Sequence, residues 1–294
     1  MTERPIPPVA KRIETATEIH GERLVDDYAW LRDKPNPDVA AYLEAENAYA
    51  DAILAPTKPL QSKLYDEMLA RIKETDDSVP YRDGDYYWYA RTEEGKQYPI
   101  LCRKRGSLDA PEQVTLDVNA LAEGQPFMSL GAYAASDDGR FLAYSTDNTG
   151  FRQYTLHIKD LETGEVLVDE IEKTGSISWA ADGRTIFYTV EDAAKRHYRI
   201  YRHRLGQQDD ALIYEEADEM FNVGVIRSRS RRYIFLTSES HTTSEVRFLP
   251  AHDAEGDWRL IAPREPDHEY AVAHHGDSFY IRTNDAGRNL ECAR

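Results

Sequence analysis

The sequence contains little cysteine and no long apolar run. Its 294 residues include two cysteines, Cys102 and Cys292, which are too few for a disulfide framework or a four-cysteine zinc site. No apolar stretch approaches the roughly 18 residues of a membrane-spanning helix, so the sequence predicts no membrane partner. The first residues, Met1 to Pro8, lack the apolar segment of a secretory signal, and we therefore expect a cytoplasmic protein.

Positive charge is also scarce. The chain carries 53 acidic and 36 basic side chains, which gives a formal net charge of −17. A surface of this sign disfavours nucleic acid as a partner, because a phosphate backbone selects basic faces. It would attract a cationic ligand, although an acidic surface also serves simply to keep a protein soluble. The charge leaves both interpretations open.

Catalytic motifs are missing as well. An α/β-type serine hydrolase needs a Gly-x-Ser-x-Gly pentapeptide, and the nearest match, Gly276–Tyr280, ends in tyrosine and lies in a predicted strand. The sequence has no His-Glu-x-x-His, no Walker loop and no Gly-x-Gly-x-x-Gly. The residues alone therefore predict no catalytic residue, no metal site and no cofactor.

Single chemistry-bearing side chains are present, and each has a structural interpretation. His274 and His275 form a pair at a strand end without a third ligand, and we expect them at the surface. Cys102 lies in an apolar run and is expected to pack rather than to react. The acidic pairs Asp209–Asp210 and Glu215–Glu216 are expected to form solvated faces.

The first eighty residues are predicted to be helical after an irregular start. Residues 1–35 are rich in proline and show no regular period. Asn36 followed by Pro37 predicts the N-cap and first turn of a helix, which Pro56 ends. Thr57 is predicted to cap a second helix.

Apolar residues recur at helical spacing in both predicted helices. Packing into a core is the commoner use of such a stripe, and a partner-binding surface is the alternative. The stripe of the second helix consists of Leu60, Leu64, Met68 and Ile72.

A polar segment then marks the predicted domain boundary. Lys73–Pro80 is charged and closes with a proline, which resists continuation of the helix. The segment fits a functional hinge and a plain solvated linker equally well. We accordingly divide the chain into a helical arm over residues 1–72, a hinge over 73–80 and a β domain over 81–294.

Beyond residue 80, a turn followed by an aromatic or β-branched run recurs at intervals of 55, 44, 48 and 45 residues, measured between positions 84, 139, 183, 231 and 276. Asp-Gly is a turn dipeptide that tolerates positive φ between paired strands. The fourth copy lacks the glycine. The five copies are Asp83–Tyr89, Asp138–Tyr144, Asp182–Tyr188, Ser230–Leu236 and His275–Ile281.

Roughly four short strands per repeat of this length are the signature of a β-propeller blade. Gln153–Ile158 alternates polar and apolar residues, and Asp160–Glu165 predicts a hairpin leading into Val166–Val168. The sequence therefore predicts a mainly β fold: a partial β-propeller of about four complete blades and the start of a fifth, preceded by a helical N-terminal arm. Because a propeller avoids exposed sheet edges by closing its ring, we expect this chain to be part of a ring.

Several stretches, in order along the chain, resemble the prolyl oligopeptidase family of serine peptidases, and oligopeptidase B within it most closely. The resemblance runs along almost the whole chain. The stretches that carry it are His20–Asp33, Tyr42–Tyr49, Arg91–Ile100, Leu116–Asn119 and Ala262–Glu265.

The resemblance implies a function that the residues alone do not. In this family a C-terminal α/β-hydrolase domain carries a Ser-Asp-His triad, and a seven-bladed propeller limits access to small peptides. Oligopeptidase B cleaves after Arg or Lys, so the resemblance implies small basic peptides as substrates. The chain would be the N-terminal portion of such an enzyme and inactive alone, because no catalytic residue carries over onto it.

The resemblance also marks positions at which this chain would face the hydrolase domain. Lys73–Pro80 matches the hinge between arm and propeller, and its acidic residues are Glu74, Asp76 and Asp77. Arg152 matches a region that faces the hydrolase domain. We treat these four residues as interdomain candidates and not as catalysts.

Two other interpretations stay open on the sequence. A propeller can act as a non-catalytic module that binds a peptide or a protein. Two copies of the chain could also close one ring as a dimer.

Overall fold

The computed structural model describes residues 5–167, 170–287 and 290–293. The chain divides into two compact units, with the division between Lys73 and Glu74. The first unit is a short hairpin followed by helices, and the second consists of β-sheets. The division lies at the start of the predicted hinge.

The first unit opens with a β-hairpin where the sequence predicted irregular chain. Strands β1 (Thr15–Ile19) and β2 (Glu22–Asp26) pair antiparallel. His20 and Gly21 connect them with φ values of 53° and 82°. Two successive left-handed residues match the twist of the flanking strands, so the two-residue turn can form even though histidine leads it. The prediction of an irregular segment was wrong here.

Two helices follow the hairpin, after a 3₁₀ turn at Ala29–Arg32. Helix α1 (Pro37–Leu54) begins as predicted, because the side chain of Asn36 accepts a hydrogen bond from the backbone N–H of Asp38 at 3.0 Å. A 3₁₀ turn at Ala55–Thr57 separates α1 from α2 (Lys58–Leu69). Thr57 does not cap α2: its hydroxyl donates to the carbonyl oxygen of Leu54 at 2.7 Å.

The apolar stripe of the second helix is exposed. In α1, Val39 is buried, as a core-facing residue should be. The four residues of the α2 stripe are between 46% and 63% exposed, which contradicts the expectation of core packing within this chain. The alternative, a surface that a partner covers, stays a prediction for α2. The stripe comprises Leu60, Leu64, Met68 and Ile72.

The second unit contains five antiparallel sheets in chain order. The first sheet has five strands, the third and fourth have four each, and the second and fifth have three each, which confirms the predicted partial propeller. A single helical turn, α3 (Val118–Leu121), follows the first sheet. The strands are β3 (Asp76–Asp77), β4 (Tyr81–Asp83), β5 (Tyr86–Thr92), β6 (Ile100–Arg105) and β7 (Gln113–Asp117); β8 (Ser129–Ala135), β9 (Phe141–Asp147) and β10 (Thr155–Asp160); β11 (Thr174–Trp179), β12 (Thr185–Glu191), β13 (His197–Arg204) and β14 (Ala211–Glu215); β15 (Asn222–Arg227), β16 (Tyr233–Glu239), β17 (Ser244–Pro250) and β18 (Arg259–Ala262); and β19 (Tyr270–His275), β20 (Ser278–Thr283) and β21 (Glu291–Ala293).

The outer part of the second sheet follows the predicted hairpin in outline. Strand β10 begins at Thr155, two residues later than predicted. Val166 makes a single antiparallel bridge with Lys159, and Leu156 makes another with Ile171. Val168, the end of the predicted return strand, lies outside the described residues.

Each copy of the repeated turn connects two successive strands of one sheet, which confirms the repeat. In all five copies, one residue of the turn has a left-handed backbone conformation. This residue is glycine in four copies and Arg231, with φ 61°, in the fourth. We call the end of the sheets that carries these turns the turn end, and the opposite end, where β5, β9, β12, β16 and β20 finish, the loop end. The left-handed residues are Gly84, Gly139, Gly183, Arg231 and Gly276.

The core lies between neighbouring sheets, because alternate residues of one strand point to opposite faces. In β9, Leu142 packs in a cluster with Trp88 of the first sheet. Its neighbour Phe141 packs in a different cluster, with Trp179 of the third sheet. The same alternation in the later sheets gives one cluster per sheet-to-sheet interface.

Cys102 is buried against Tyr89 and Ile100, on the face of the first sheet that points away from the second. Burial, together with the nearby carboxylate of Glu112, raises the pKa of its thiol to about 11. Its burial in this cluster confirms that Cys102 packs, and its lack of reactivity stays a prediction.

Candidate interdomain face

The loop end of the second sheet is shaped by one buried carboxylate. Asp147, the last residue of β9, accepts hydrogen bonds from the backbone N–H and the hydroxyl of Thr149 at 2.8 and 2.6 Å. Its other oxygen accepts from the backbone N–H of Arg152 at 2.7 Å. Burial alone would raise the pKa of Asp147, but these hydrogen bonds lower it below its ordinary value. The carboxylate thus stays charged and fixes the loop around itself.

This fixed loop presents two exposed side chains, Phe151 and Arg152. Phe151 is 72% exposed, which is unusual for a phenylalanine on a well-bonded loop. Arg152 adopts a left-handed φ of 57°, a conformation that its backbone bond to Asp147 maintains. The ammonium group of Lys195, from the third sheet, donates to the carbonyl oxygen of Phe151.

The third sheet repeats the arrangement at its own loop end. Asp192, just after β12, accepts from the backbone N–H groups of Ala194 and Arg196 at 2.8 and 3.0 Å. The backbone hydrogen bond from Arg196 is the main cause of the lowered pKa of Asp192. The guanidinium of Arg196 also bonds this carboxylate at 3.0 Å and reaches the carbonyl oxygen of Asp218 at 2.8 Å. Adjacent sheets therefore expose rigid loops at the same end.

The acidic candidates lie at the loop end of the first sheet. Asp76 and Asp77 form β3, where they pair with Thr92 and Arg91 at the end of β5. The hydroxyl of Thr92 donates to the carbonyl oxygen of Glu74 at 2.6 Å. Both aspartates are exposed. The structure thus places Glu74, Asp76, Asp77 and Arg152 at one end of the sheets, and their interdomain role stays a prediction.

Sequence reasoning missed an ion pair between Glu216 and Arg264, which lie in two segments that each connect one sheet to the next. Glu216 follows β14 and is 5% exposed; its carboxylate accepts from Arg264 at 2.5 Å and from the hydroxyl of Ser238 at 2.6 Å. The hydroxyl of Tyr214 donates to it as well, at 2.9 Å. Burial would raise the pKa of Glu216, but these bonds outweigh burial and bring it to about 2. Arg264 also stacks on the ring of Phe221, 3.7 Å from its centroid.

The expectation of two solvated acidic pairs was therefore wrong for one member of each pair. Glu216 is buried, whereas Glu215 is exposed and bonds Arg199 at 2.8 Å. Asp210 accepts from the hydroxyl of Tyr188 at 2.5 Å and lies 2.7 Å from the Nδ1 atom of His203. A carboxylate beside another in sequence gives no local sign of burial, because its partners come from distant strands.

The two neighbouring histidines differ in burial. His275 is exposed, as predicted, but His274 is 7% exposed, so the expectation of a surface pair was wrong for it. Its Nδ1 atom lies 2.8 Å from the hydroxyl of Ser230, and its ring packs 4.7 Å from that of Tyr233. Strand alternation puts the two rings on opposite faces.

The serine of the segment Gly276–Tyr280, the nearest match to the hydrolase pentapeptide, is Ser278. It begins β20, which confirms that it is a strand residue.

No group of three or more His, Cys, Asp or Glu side chains within residues 5–167, 170–287 and 290–293 is arranged to hold a metal ion. None of the helices in these ranges is both long and apolar enough to span a bilayer. The features that remain are rigid, charged loops at one end of a sheet stack.

Five sheets in chain order, each with the repeated turn between two successive strands, define a partial β-propeller. The family model of the prolyl oligopeptidase N-terminal beta-propeller domain matches residues 7–293. The chain therefore belongs to the prolyl oligopeptidase family, which confirms the resemblance seen in the sequence.

Individual relatives agree with this assignment. The chain is 44% identical to dipeptidyl aminopeptidase BI from Pseudoxanthomonas mexicana, over 96% of the chain and 42% of that protein. It is 37% identical to protease 2 from Moraxella lacunata, over 98% of the chain and 43% of that protein. The solved structure of oligopeptidase B from Leishmania major superposes with a TM-score of 0.87 at 28% identity, over 98% of this chain and 44% of that one. The chain thus spans somewhat under half the length of these relatives.

Proposed function

We propose that this chain is the propeller portion of a serine endopeptidase that cleaves small peptides after Arg or Lys. In this proposal a C-terminal α/β-hydrolase domain supplies the Ser-Asp-His triad and docks on the loop end. The propeller admits small peptides and excludes folded proteins. The observation that carries the proposal is the collinear match of nearly the whole chain to peptidases, among them oligopeptidase B.

The loop end supports this choice of docking face. Asp147 and Asp192 hold their loops rigidly, so the exposed Phe151 and Arg152 lose little conformational freedom when a partner covers them. An aromatic ring beside an arginine is a common composition for the centre of a protein interface. We propose that Arg152 pairs with a carboxylate of the hydrolase domain.

A second candidate function is the removal of dipeptides from a free N-terminus. It rests on the name of one relative, a dipeptidyl aminopeptidase, at 44% identity. The two activities differ in one requirement: an aminopeptidase of this kind needs the free α-amino group two residues from the scissile bond, and an endopeptidase does not.

Three measurements on the protein from its native source test the proposal. Its intact mass shows whether this chain continues into a further domain; a mass equal to the 33.7 kDa of this chain would contradict the proposal and favour the binding-module interpretation. Turnover of an N-blocked peptide amide ending in Arg, and not of one ending in Gly, supports cleavage after basic residues. Turnover restricted to dipeptide amides with a free N-terminus would favour the second candidate.

The docking face is tested in the same protein by Arg152→Glu. Reversal of one interface charge is expected to lower kcat/KM by about tenfold, equivalent to about 1.4 kcal/mol of interaction. The matched control is Arg105→Glu, a reversal at an exposed position of the turn end. Equal activity of the two variants would contradict docking at the loop end.

We also propose that the chain has no amidase activity by itself. This statement rests on the absence of Gly-x-Ser-x-Gly from its sequence. Labelling of this chain by an active-serine probe would contradict it.

We further propose that the protein is cytoplasmic. This statement rests on its two unpaired cysteines, Cys102 and Cys292. Cell fractionation checks it.

A further inference from the structure

A cavity of about 330 Å³ opens at the turn end, away from the proposed docking face. Residues of the first four sheets line it, among them the largely buried Trp88 and Trp179, at 5% and 3% exposure, and the half-buried Tyr133. A strand such as β9 spans roughly 20 Å between the turn end and the loop end, so a ligand here would not touch the docking face. The volume is within the range of small-molecule sites.

Two of the arginines at the rim of this cavity are paired with aspartates. Arg227 bonds Asp137 at 2.9 Å, and Arg231 lies 3.6 Å from the same carboxylate while also pairing with Asp83. These pairs join the first, second and fourth sheets. Both aspartates are thus engaged by arginines and are not free to receive a cationic ligand.

One further arginine at the rim has no such partner. Arg229 lies in the same arginine-rich turn, is exposed and lines the cavity. Within the ranges that the structure describes, it makes no hydrogen bond and no ion pair. With two arginines balanced by two aspartates, Arg229 gives the rim a net positive charge in a chain whose overall charge is −17. The local charge therefore favours an anion over a cation.

The wall also contains an unsatisfied polar atom. Ser178 is 3% exposed, and its hydroxyl has no hydrogen-bond partner among the described residues. A buried hydroxyl without a partner is destabilising and commonly marks a position where water or a ligand binds. Ser178 lines this cavity, so a ligand that enters it can accept the hydrogen bond.

We propose that this cavity binds a small carboxylate with an apolar or aromatic body. The body packs on Trp88, Tyr133 and Trp179, the carboxylate pairs with Arg229, and the Ser178 hydroxyl donates to a ligand oxygen. Free N-acylated amino acids and the C-terminal residue of a short peptide share this chemistry. The inference stands apart from the peptidase proposal, because binding is measured without turnover.

Calorimetric titration of the purified chain tests the site with four probes. N-acetylphenylalanine and the peptide Gly-Gly-Phe carry the carboxylate, and their C-terminal amides do not. We expect the acids to bind at least about tenfold more tightly than the amides, as the loss of one charge-assisted bond predicts. Stronger binding of the peptide than of the acetylated amino acid identifies peptide ends as the source, and the reverse order identifies free acids.

A matched pair of variants locates the binding. Arg229→Gln is expected to weaken binding of the acids by about tenfold. Arg232→Gln, in the same turn, should leave it unchanged, because Arg232 bonds Gly276 and Asp277 and does not line the cavity. Arg229 is exposed, so its replacement leaves the fold intact.

Ser178→Ala gives an independent check, with an expected loss of about threefold to tenfold in affinity for the same ligands. The proposal is overturned if no acid binds at millimolar concentration, if acids and amides bind equally, or if Arg229→Gln and Arg232→Gln behave alike.

Discussion

At the scale of the residue, the carboxylate of Glu216 is a buried charge at the loop end that several side chains bond. It receives bonds from Arg264, Ser238 and Tyr214, each from a different strand or crossover. Removal of one partner from such a group leaves the other charge buried without compensation. The neighbouring Glu215 is exposed, so the same substitution at Glu215 serves as a control for the one at Glu216.

Glu216→Gln is expected to lower the free energy of unfolding by about 2 kcal/mol at neutral pH, because the glutamine leaves the partly buried Arg264 without a counter-charge. Glu215→Gln removes an exposed ion pair with Arg199 and should cost about 0.5 kcal/mol or less. Urea unfolding followed by circular dichroism compares the two variants. Equal midpoints would show that the Glu216 pair does not contribute to stability.

The pKa of Glu216 also sets a pH dependence. Its pKa is lowered from 4.5 to about 2, so the unfolded chain binds the proton more readily than the folded chain. The stabilisation by Glu216 is therefore complete above pH 4.5 and is lost as pH falls toward about 2. In Glu216→Gln the slope of unfolding free energy against pH should be smaller in that window. An unchanged slope would show that the protonation of Glu216 does not cause the pH dependence of stability in this window.

At the scale of the element, the repeated turn limits which residues the turn end tolerates. Gly139 has a left-handed φ of 73°, and a Cβ atom there would lie 2.5 Å from the ring of Tyr86. Gly164 has a similar φ of 81° but no atom within 4 Å of the same position. The two glycines therefore separate the cost of backbone strain from that of a steric clash.

Gly164→Ala is expected to cost about 1 kcal/mol, which is the penalty for a left-handed alanine. Gly139→Ala should cost about 2–4 kcal/mol, because the clash with the Tyr86 ring adds to the same strain. Thermal melts of the two variants give the comparison. A Gly139→Ala variant as stable as Gly164→Ala would mean that the ring moves aside freely.

The elements also show what the sequence could predict. The five turns and their strands were predictable because Asp-Gly and the run after it are local signals, and the strand pattern sufficed where Arg231 replaces glycine. The hairpin at His20–Gly21 was missed because the surrounding prolines suggested irregular chain. The burial of Glu216 was not predictable, because Arg264 lies 48 residues further along the chain.

At the scale of the whole molecule, the chain exposes apolar surface on more than one element. Leu60, Leu64 and Met68 of α2 are exposed, as are Leu108 and Val114 of the first sheet. Patches of this kind mark interaction surfaces, and the net charge of −17 opposes their association only at long range.

The purified 294-residue chain is therefore expected to self-associate more strongly at high salt, where charge repulsion is screened. Sedimentation velocity over about a hundredfold range of concentration checks this, since specific association is a mass-action effect. Leu64→Lys should reduce association if α2 carries it, with the equivalent exposed change Val114→Lys as the comparison for the first sheet. A monomer at all concentrations and salt levels would contradict the expectation.

Four of the five core clusters among the described residues are shared between two sheets, and this sharing has a dynamic consequence. The apolar side chains of each sheet are buried mainly against its neighbours. The stability of each sheet therefore depends on the sheets next to it, as in a one-dimensional cooperative array. The third sheet has a packed cluster on both sides, whereas the fifth sheet has one described cluster, shared with the fourth. Amide hydrogen exchange should therefore be slowest in β12 and fastest in β20, and opening should spread inward one sheet at a time.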